Sequence, residues 1–223
     1  MKFADFLLTE APLPDDWDKK PFTKGAPFSQ TIKYAQERAE KLGTGSSRVA
    51  FEIEYKGNPT VLKVAKNKKG IAQNAEEVNY LEDHYIKNMN ILVGLIDYDE
   101  DNGDDIKWIH MERLDKIKDS DFKKYTGGLT CRELVAHAYN PTVGPRQSIF
   151  GEADKNVFKK ALEYMEEHDI DILSDLQDLF ANFDDIKPQD LTRVANWGWC
   201  PKDKKPKILD IGFNTTTAKL YQR

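Results

Sequence analysis

The sequence predicts an α+β protein in two parts, the first rich in strands and the second mainly helical. Three observations carry this. Two strand-like runs, Arg48 to Tyr55 and Thr60 to Ala65, flank the turn Lys56-Gly57-Asn58-Pro59 and read as a hairpin. Beyond Glu112, apolar residues recur at helical spacing, as in Leu173, Leu176, Leu179 and Phe180. The C-terminal stretch then returns to strand, with Ala195 to Trp199 and Pro206 to Phe213 on either side of a polar turn.

Taken in order, residues 1–29 look separate from the rest. Phe3 to Leu8 reads as a short amphipathic turn, and Pro12, Pro14, Pro21, Gly25 and Pro27 then punctuate the chain as a tail or linker. Thr31 to Leu42 reads as a helix leading into the glycine turn Gly43-Thr44-Gly45-Ser46-Ser47. The hairpin follows. Ala72 to Asn88 reads as one helix, with Ala75, Val78, Leu81 and Tyr85 on one face. Asn90 to Tyr98 and Asp105 to Met111 read as two more strands around an acidic turn. That turn is not a calcium loop, because Gly103 is one place late and Trp108 takes the final carboxylate position. Asp154 caps a helix with Val157, Phe158, Ala161, Leu162 and Met165 on one face. Ile170 to Phe183 forms the next.

Composition narrows the function. The chain has 223 residues, enough for one large domain or two small lobes. No apolar run spans a bilayer, and no basic start with a long apolar core marks secretion. Cys131 and Cys200 lack ligand spacing, which fits a reducing, cytoplasmic setting. A net charge of -5 argues against general nucleic-acid binding. The segment Lys202 to Lys207 reads as a solvated turn. His84, His110, His137 and His168 form no metal spacing and read as surface or structural, and Trp197 and Trp199 read as packing residues.

Two places carry chemistry. Glycines at 43 and 45 let the backbone approach a ligand, and turn N–H groups can face phosphate oxygens. Lys63 lies in the next hairpin strand, where a half-buried cation needs an anion; the alternative is an edge-strand lysine in water. Far downstream, Asp210 is embedded in Ile208, Leu209 and Ile211, a costly place for a carboxylate unless it is paired or metal-bound. Asn196 precedes it by 14 residues, and both are hard oxygen donors of the kind magnesium takes.

This ordered set, from about residue 36 to 216, resembles the protein kinase-like fold. The resemblance implies a two-lobed α+β architecture: a tail or leader over 1–29, a β-rich N-lobe over 30–114, and a reduced, mainly helical C-lobe over 115–223 with a metal-binding hairpin. It implies that Gly43, Gly45, Ser46 and Ser47 cover ATP and that Lys63 pairs with its phosphates. Glu77 would hold Lys63, with Glu76 as the fallback. The backbone from Met111 through Glu112 to Leu114 would meet the adenine edge. Asn196 and Asp210 would hold magnesium, Asp210-Ile211-Gly212-Phe213 standing for the Asp-Phe-Gly motif. Asp190 would be the catalytic base, with Asp184 and Asp185 as alternatives.

Departures bear on activity. Pro188 and Gln189 replace the histidine and arginine that normally precede the base. Arg48 stands at the third glycine position, either touching phosphate or pointing outward. Only a short segment follows Phe213, so the substrate platform would come from residues 116–185 or from a partner. The start, Met1 to Ala11, resembles the capsid-targeting leaders of tailed phages, with Leu8-Thr9-Glu10 before Ala11 as the cleavage pattern. Gly70-Ile71-Ala72-Gln73-Asn74 looks like a segment of small phage proteins. The resemblance thus implies a phage-encoded kinase-like protein, placed in host cytoplasm or virion interior, with a nucleotide and a host or phage protein as partners. The alternatives are a catalytically dead kinase-like module and nucleotidyl transfer to protein.

Overall fold

The computed structural model describes residues 13–14, 16–23, 25–100, 103, 105–143, 153–212 and 214–220. The leader-like start Met1 to Ala11, Phe213 and parts of the acidic turn lie outside them. The fold is α+β, and the chain divides into two compact units. One comprises Met1–Asn74 with Leu95–Arg113, the other Ala75–Gly94 with Leu114–Arg223.

The first unit is built on an antiparallel sheet of order β1-β2-β3-β5-β4: Glu40–Thr44, Arg48–Tyr55, Asn58–Ala65, Trp108–Glu112 and Leu95–Tyr98 respectively. The β2–β3 hairpin closes on only Lys56 and Gly57, at φ 51° and 76°. Two successive left-handed residues make the turn whose twist matches the strands, so Asn58 and Pro59 belong to β3. Helix α1, Phe28–Gln36, stops well short of Leu42. The next residues form β1 instead, an edge strand exposed at every position and therefore without an apolar period to betray it.

The N-terminal segment corrects the tail expectation. Leu13, Trp17 and Phe22 are buried and pack with Ala35 of α1 and with Val49, Phe51, Leu62, Val64 and Trp108 of the sheet. Trp17, Phe22 and Tyr34 stand ring against ring at 5.7 to 5.8 Å. Lys107 ties the segment down: its Nζ donates to the carbonyls of Thr23 and Ala26 at 3.0 and 2.9 Å. Pro14 and Pro21 do not keep this segment out of the core.

Helix α2 covers Lys68–Glu82 and does not continue to Asn88. Asp83 ends it and starts α3, His84–Met89, by accepting from the Tyr85 and Ile86 N–H groups at 2.9 and 3.0 Å. An aspartate that satisfies two orphan donors starts a new helix, which residue periodicity alone does not reveal.

The second unit carries a small sheet of order β6-β7-β8 (Asp115–Lys116, Trp197–Cys200, Lys205–Ile208). Its helices are α3, α4 (Asp119–Thr126), α5 (Cys131–Val143), α6 (Lys155–Glu167), α7 (Ile172–Asn182), α8 (Pro188–Leu191) and α9 (Thr215–Lys219), besides the end of α2. All four apolar positions expected on α7 are buried. Asp154 caps α6 by accepting from Asn156 N, but only Ala161 and Met165 of its expected face are buried. Val157 and Leu162 are exposed. The β7–β8 turn is less solvated than its charge suggests, since Lys207 is buried and pairs with Asp203 at 2.6 Å. Among the described residues, no helix is long and apolar enough to cross a membrane.

Candidate functional site

The second unit brings three of the expected residues together. Asp190 lies in α8, a single turn begun by Pro188, whose fixed φ and missing N–H suit a first helical position. A 3-10 turn, Val194–Asn196, follows and delivers Asn196 to the start of β7. The Nδ2 of Asn196 donates to the Asp190 carbonyl at 2.9 Å. Its own carbonyl accepts from Leu209 N at 2.7 Å, one residue before Asp210. The open end of the β7–β8 hairpin therefore holds Asp190, Asn196 and Asp210 in one place.

The electrostatics agree with this closeness. Burial pushes the Asp190 carboxyl above its ordinary value; Arg193 works against that, and the Asp210 charge adds to it. Arg193 Nη1 lies 3.7 Å from Asp190 Oδ1. The bond from Asn196 Nδ2 also sets the amide orientation, with Oδ1 as its acceptor end. A carboxylate and an amide oxygen are hard donors, and magnesium takes few protein ligands beside substrate oxygens and water. The donor set of Asp210 and Asn196 fits that ion. Among the described residues, no cluster of three or more histidine, cysteine or carboxylate ligands forms a denser metal cage.

The loop that carries Asp190 is pinned from behind, which the sequence did not disclose. The Leu191 carbonyl accepts from Trp197 Nε1 at 2.8 Å and from Cys131 Sγ at 3.2 Å. Trp197 meets Phe122 edge-on at 5.2 Å. It is thus a fastening as well as a packing residue. Burial, with Asp119 adding, pushes the Cys131 thiol far up, so it stays protonated and donates.

A second network holds the chain just past the Asp210-Ile211-Gly212 motif. Asn214 is fully buried, and its Nδ2 faces Glu76 Oε2, Tyr80 Oη and Asp185 Oδ2 at 2.9, 3.2 and 3.2 Å. Tyr80 Oη donates to Asp185 Oδ2 at 2.7 Å. Thr217 Oγ1 reaches back to the Gly212 carbonyl at 3.0 Å. Asp185 is committed to Tyr80 and Asn214, and Asp184 is exposed. Glu76 is committed to Asn214, whereas Glu77 is fully buried and is no solvated helix face. No motif marks Asn214; only its place after Gly212 would have drawn attention to it.

The first unit holds the glycine turn and Lys63. Gly43 follows a bulge in β1, and Gly43, Gly45 and Ser46 are exposed. No atom lies within 4 Å of a Cβ built on Gly43. Gly45 N donates to the Arg48 carbonyl at 2.9 Å, closing the turn. Its carbonyls are taken up from outside: Lys66 Nζ reaches Gly45 O at 2.8 Å and Asn67 Nδ2 reaches Ser46 O at 3.3 Å. Ser47 is buried and its hydroxyl donates to Gln73 Oε1. Arg48 does not point outward: it is buried, with Nη1 donating to Asn74 Oδ1 at 3.2 Å. Gly70 permits this closeness, because a Cβ there would lie 2.3 Å from the Ser47 carbonyl.

Lys63 is half-buried on β3, opposite Ala50 and Ile109. Side chains alternate along a strand, so Lys63 faces away from the core face formed by Leu62 and Val64. It lies on an inner strand, not an edge. Glu112 ends β5 opposite Thr60. Leu114 is buried against Gly198, where a Cβ would lie 2.5 Å from Leu114 Cβ. Comparison of the chain with protein-family models and with curated proteins gives no match.

Proposed function

We propose that this chain is a small kinase-like protein, of phage type, that binds ATP with magnesium and transfers the γ-phosphoryl group to a protein or small-molecule hydroxyl. The observation that carries the reading is the grouping of Asp190, Asn196 and Asp210 at the open end of the β7–β8 hairpin. In this reading Asp210 and Asn196 hold the metal, and bound magnesium neutralises phosphate charge. Asp190 orients the acceptor hydroxyl and takes its proton, a task suited to a carboxylate whose proton affinity is raised. In this reading Lys63 pairs with phosphates, and the turn at Gly43, Gly45, Ser46 and Ser47 lends backbone N–H groups. The backbone around Glu112 and Leu114 takes the adenine edge. Such transfer is mostly positioning and charge stabilisation, which so few groups can supply.

A second reading, a catalytically dead kinase-like module of the virion or for host interaction, is favoured by one contact. Arg193 sits beside Asp190 and draws on the charge the base needs. Titration with ATP and magnesium, followed by an assay of label transferred from γ-labelled ATP to protein or small-molecule hydroxyls and of ADP formed, separates the two. Binding and turnover that both fall in Asp210→Ala, with turnover alone lost in Asp190→Asn, support the active enzyme. Binding without turnover in the native chain supports the dead module. An absence of nucleotide binding overturns the active-enzyme reading.

A further inference from the structure

We propose that the second unit carries a separate binding pocket for a small aromatic anion, a ring bearing a carboxylate or phosphate, between α4, the end of α6 and the β7 strand. The cavity measures about 550 Å³, within the range of small-molecule sites. Tyr125, Tyr164 and Trp199 supply its aromatic walls, with Ile170 as an apolar contact. All four are half-buried, so part of each remains open to a ligand.

These walls are held rigidly. Trp199 meets Tyr125 edge-on at 5.8 Å, and Tyr164 stacks on His168 at 4.1 Å. Gly127, left-handed at φ 72°, ends α4 directly against Tyr164, where a Cβ would lie 2.5 Å from that side chain. Rigid aromatic faces bind a flat ring with little ordering cost.

Charge selects the sign. Lys116, Lys124 and Lys204 line the pocket, and none of the three is engaged by a carboxylate among the described residues. Of the two carboxylates in the lining, Asp121 is committed to the start of α4, accepting from Lys118 N at 2.8 Å. Asp115 and Asp121 bring two negative charges to the lining against three ammonium groups, an excess of one positive charge. Asp171 and Asp175 act on Tyr125 from outside the lining, and Lys205 acts on Asp175. Burial, then those two charges, pushes the Tyr125 hydroxyl up to about 12, so it remains a hydrogen-bond donor. Ring faces, donors and unpaired cations together suit an aryl anion.

The test is ligand-observed NMR on the full chain at low salt with phenyl phosphate, benzoate, benzylamine and inorganic phosphate. Phenyl phosphate and benzoate should bind, and their ranking tells the two anionic groups apart. Inorganic phosphate should bind at least tenfold more weakly than phenyl phosphate, for want of the ring. Lys124→Ala should weaken phenyl phosphate about threefold to tenfold, and the pair Lys116→Glu with Lys124→Glu should abolish its binding. These are exposed positions, so the variants keep their fold. Binding should persist in Lys63→Ala and Asp210→Ala, which separates this pocket from the proposed nucleotide site. Equal binding of benzylamine, no binding of either aryl anion, or unchanged binding in the double variant would overturn the proposal.

Discussion

The side-chain amide of Asn196 donates to the main-chain carbonyl of Asp190 at 2.9 Å. Through that one bond the residue expected to hold metal also positions the loop expected to hold the base. Asn196→Asp keeps an oxygen at the site but loses the donor and places a third carboxylate beside Asp190 and Asp210. The variant should lose about 1 to 2 kcal/mol of stability at pH 7, read from urea unfolding. Asn196→Ala should weaken magnesium-dependent ATP binding at least tenfold, read by calorimetry. Unchanged affinity in that variant would remove Asn196 from the metal pair.

Asn214 sits among Glu76, Tyr80 and Asp185, two of them carboxylates. Asn214→Asp replaces the shared donor with another negative charge in a fully buried place. Its cost should be on the order of 3 to 5 kcal/mol, the scale of an uncompensated buried charge. Tyr80→Phe removes one donor and should cost about 1 to 2 kcal/mol. Thermal unfolding of both variants gives the comparison, and a milder effect for Asn214→Asp would mean the network is looser than its distances.

Two glycines should separate fold from function. Gly70→Ala introduces a Cβ 2.3 Å from the Ser47 carbonyl and should destabilise, although alanine favours a helix by about 1 kcal/mol. Gly43→Ala meets no atom within 4 Å and should leave the unfolding midpoint nearly unchanged. If the turn approaches phosphate, Gly43→Ala should still weaken ATP binding. Equal stability loss in both variants would contradict the packing at Gly70.

Asp175 sets a pH dependence. Burial raises its carboxyl to about 6, with Lys205 working against the shift and Asp171 and Asp178 adding to it. The folded state therefore holds this proton more tightly than the unfolded chain. Its contribution is complete below the unfolded value of 3.8 and is lost as pH rises through about 6. Asp175→Asn should raise stability at pH 7 by about 1 kcal/mol, allowing for solvent screening at a half-exposed group. It should also flatten the unfolding midpoint between pH 4 and pH 6 relative to the native chain. A steeper profile in the variant would reverse the assignment.

Trp17 tests the N-terminal segment as core. Trp17→Ala should cost about 3 to 5 kcal/mol in urea unfolding, whereas a true tail would tolerate it.

Local patterns decided much of this chain. The period of Leu173, Leu176, Leu179 and Phe180 names the buried face of α7, because helix geometry and burial point the same way there. Lys56-Gly57 marks the hairpin, because few residue pairs accept two left-handed conformations in a row. Asp210 among apolar neighbours marked a costly carboxylate, and Asn196 and Asp190 were nameable beside it. Elsewhere local pattern misled. Exposed β1 has no period, and the prolines around Trp17 hid a core segment whose partners lie on β2, β3 and β5. The break at Asp83 depends on which donors its side chain meets.

The sequence by itself determined the α+β class, the β2–β3 hairpin and the face of α7. These follow from backbone preference and apolar periodicity, which act over a few residues. Only the tertiary structure decided that Asp190, Asn196 and Asp210 share one place, that Asn214 takes Glu76 and Asp185, and that Arg48 and Ser47 turn inward to α2. Those outcomes are hydrogen bonds between residues up to 138 positions apart in the chain. A buried donor accepts whichever acceptor the packed elements bring to it, and no local spacing records that choice.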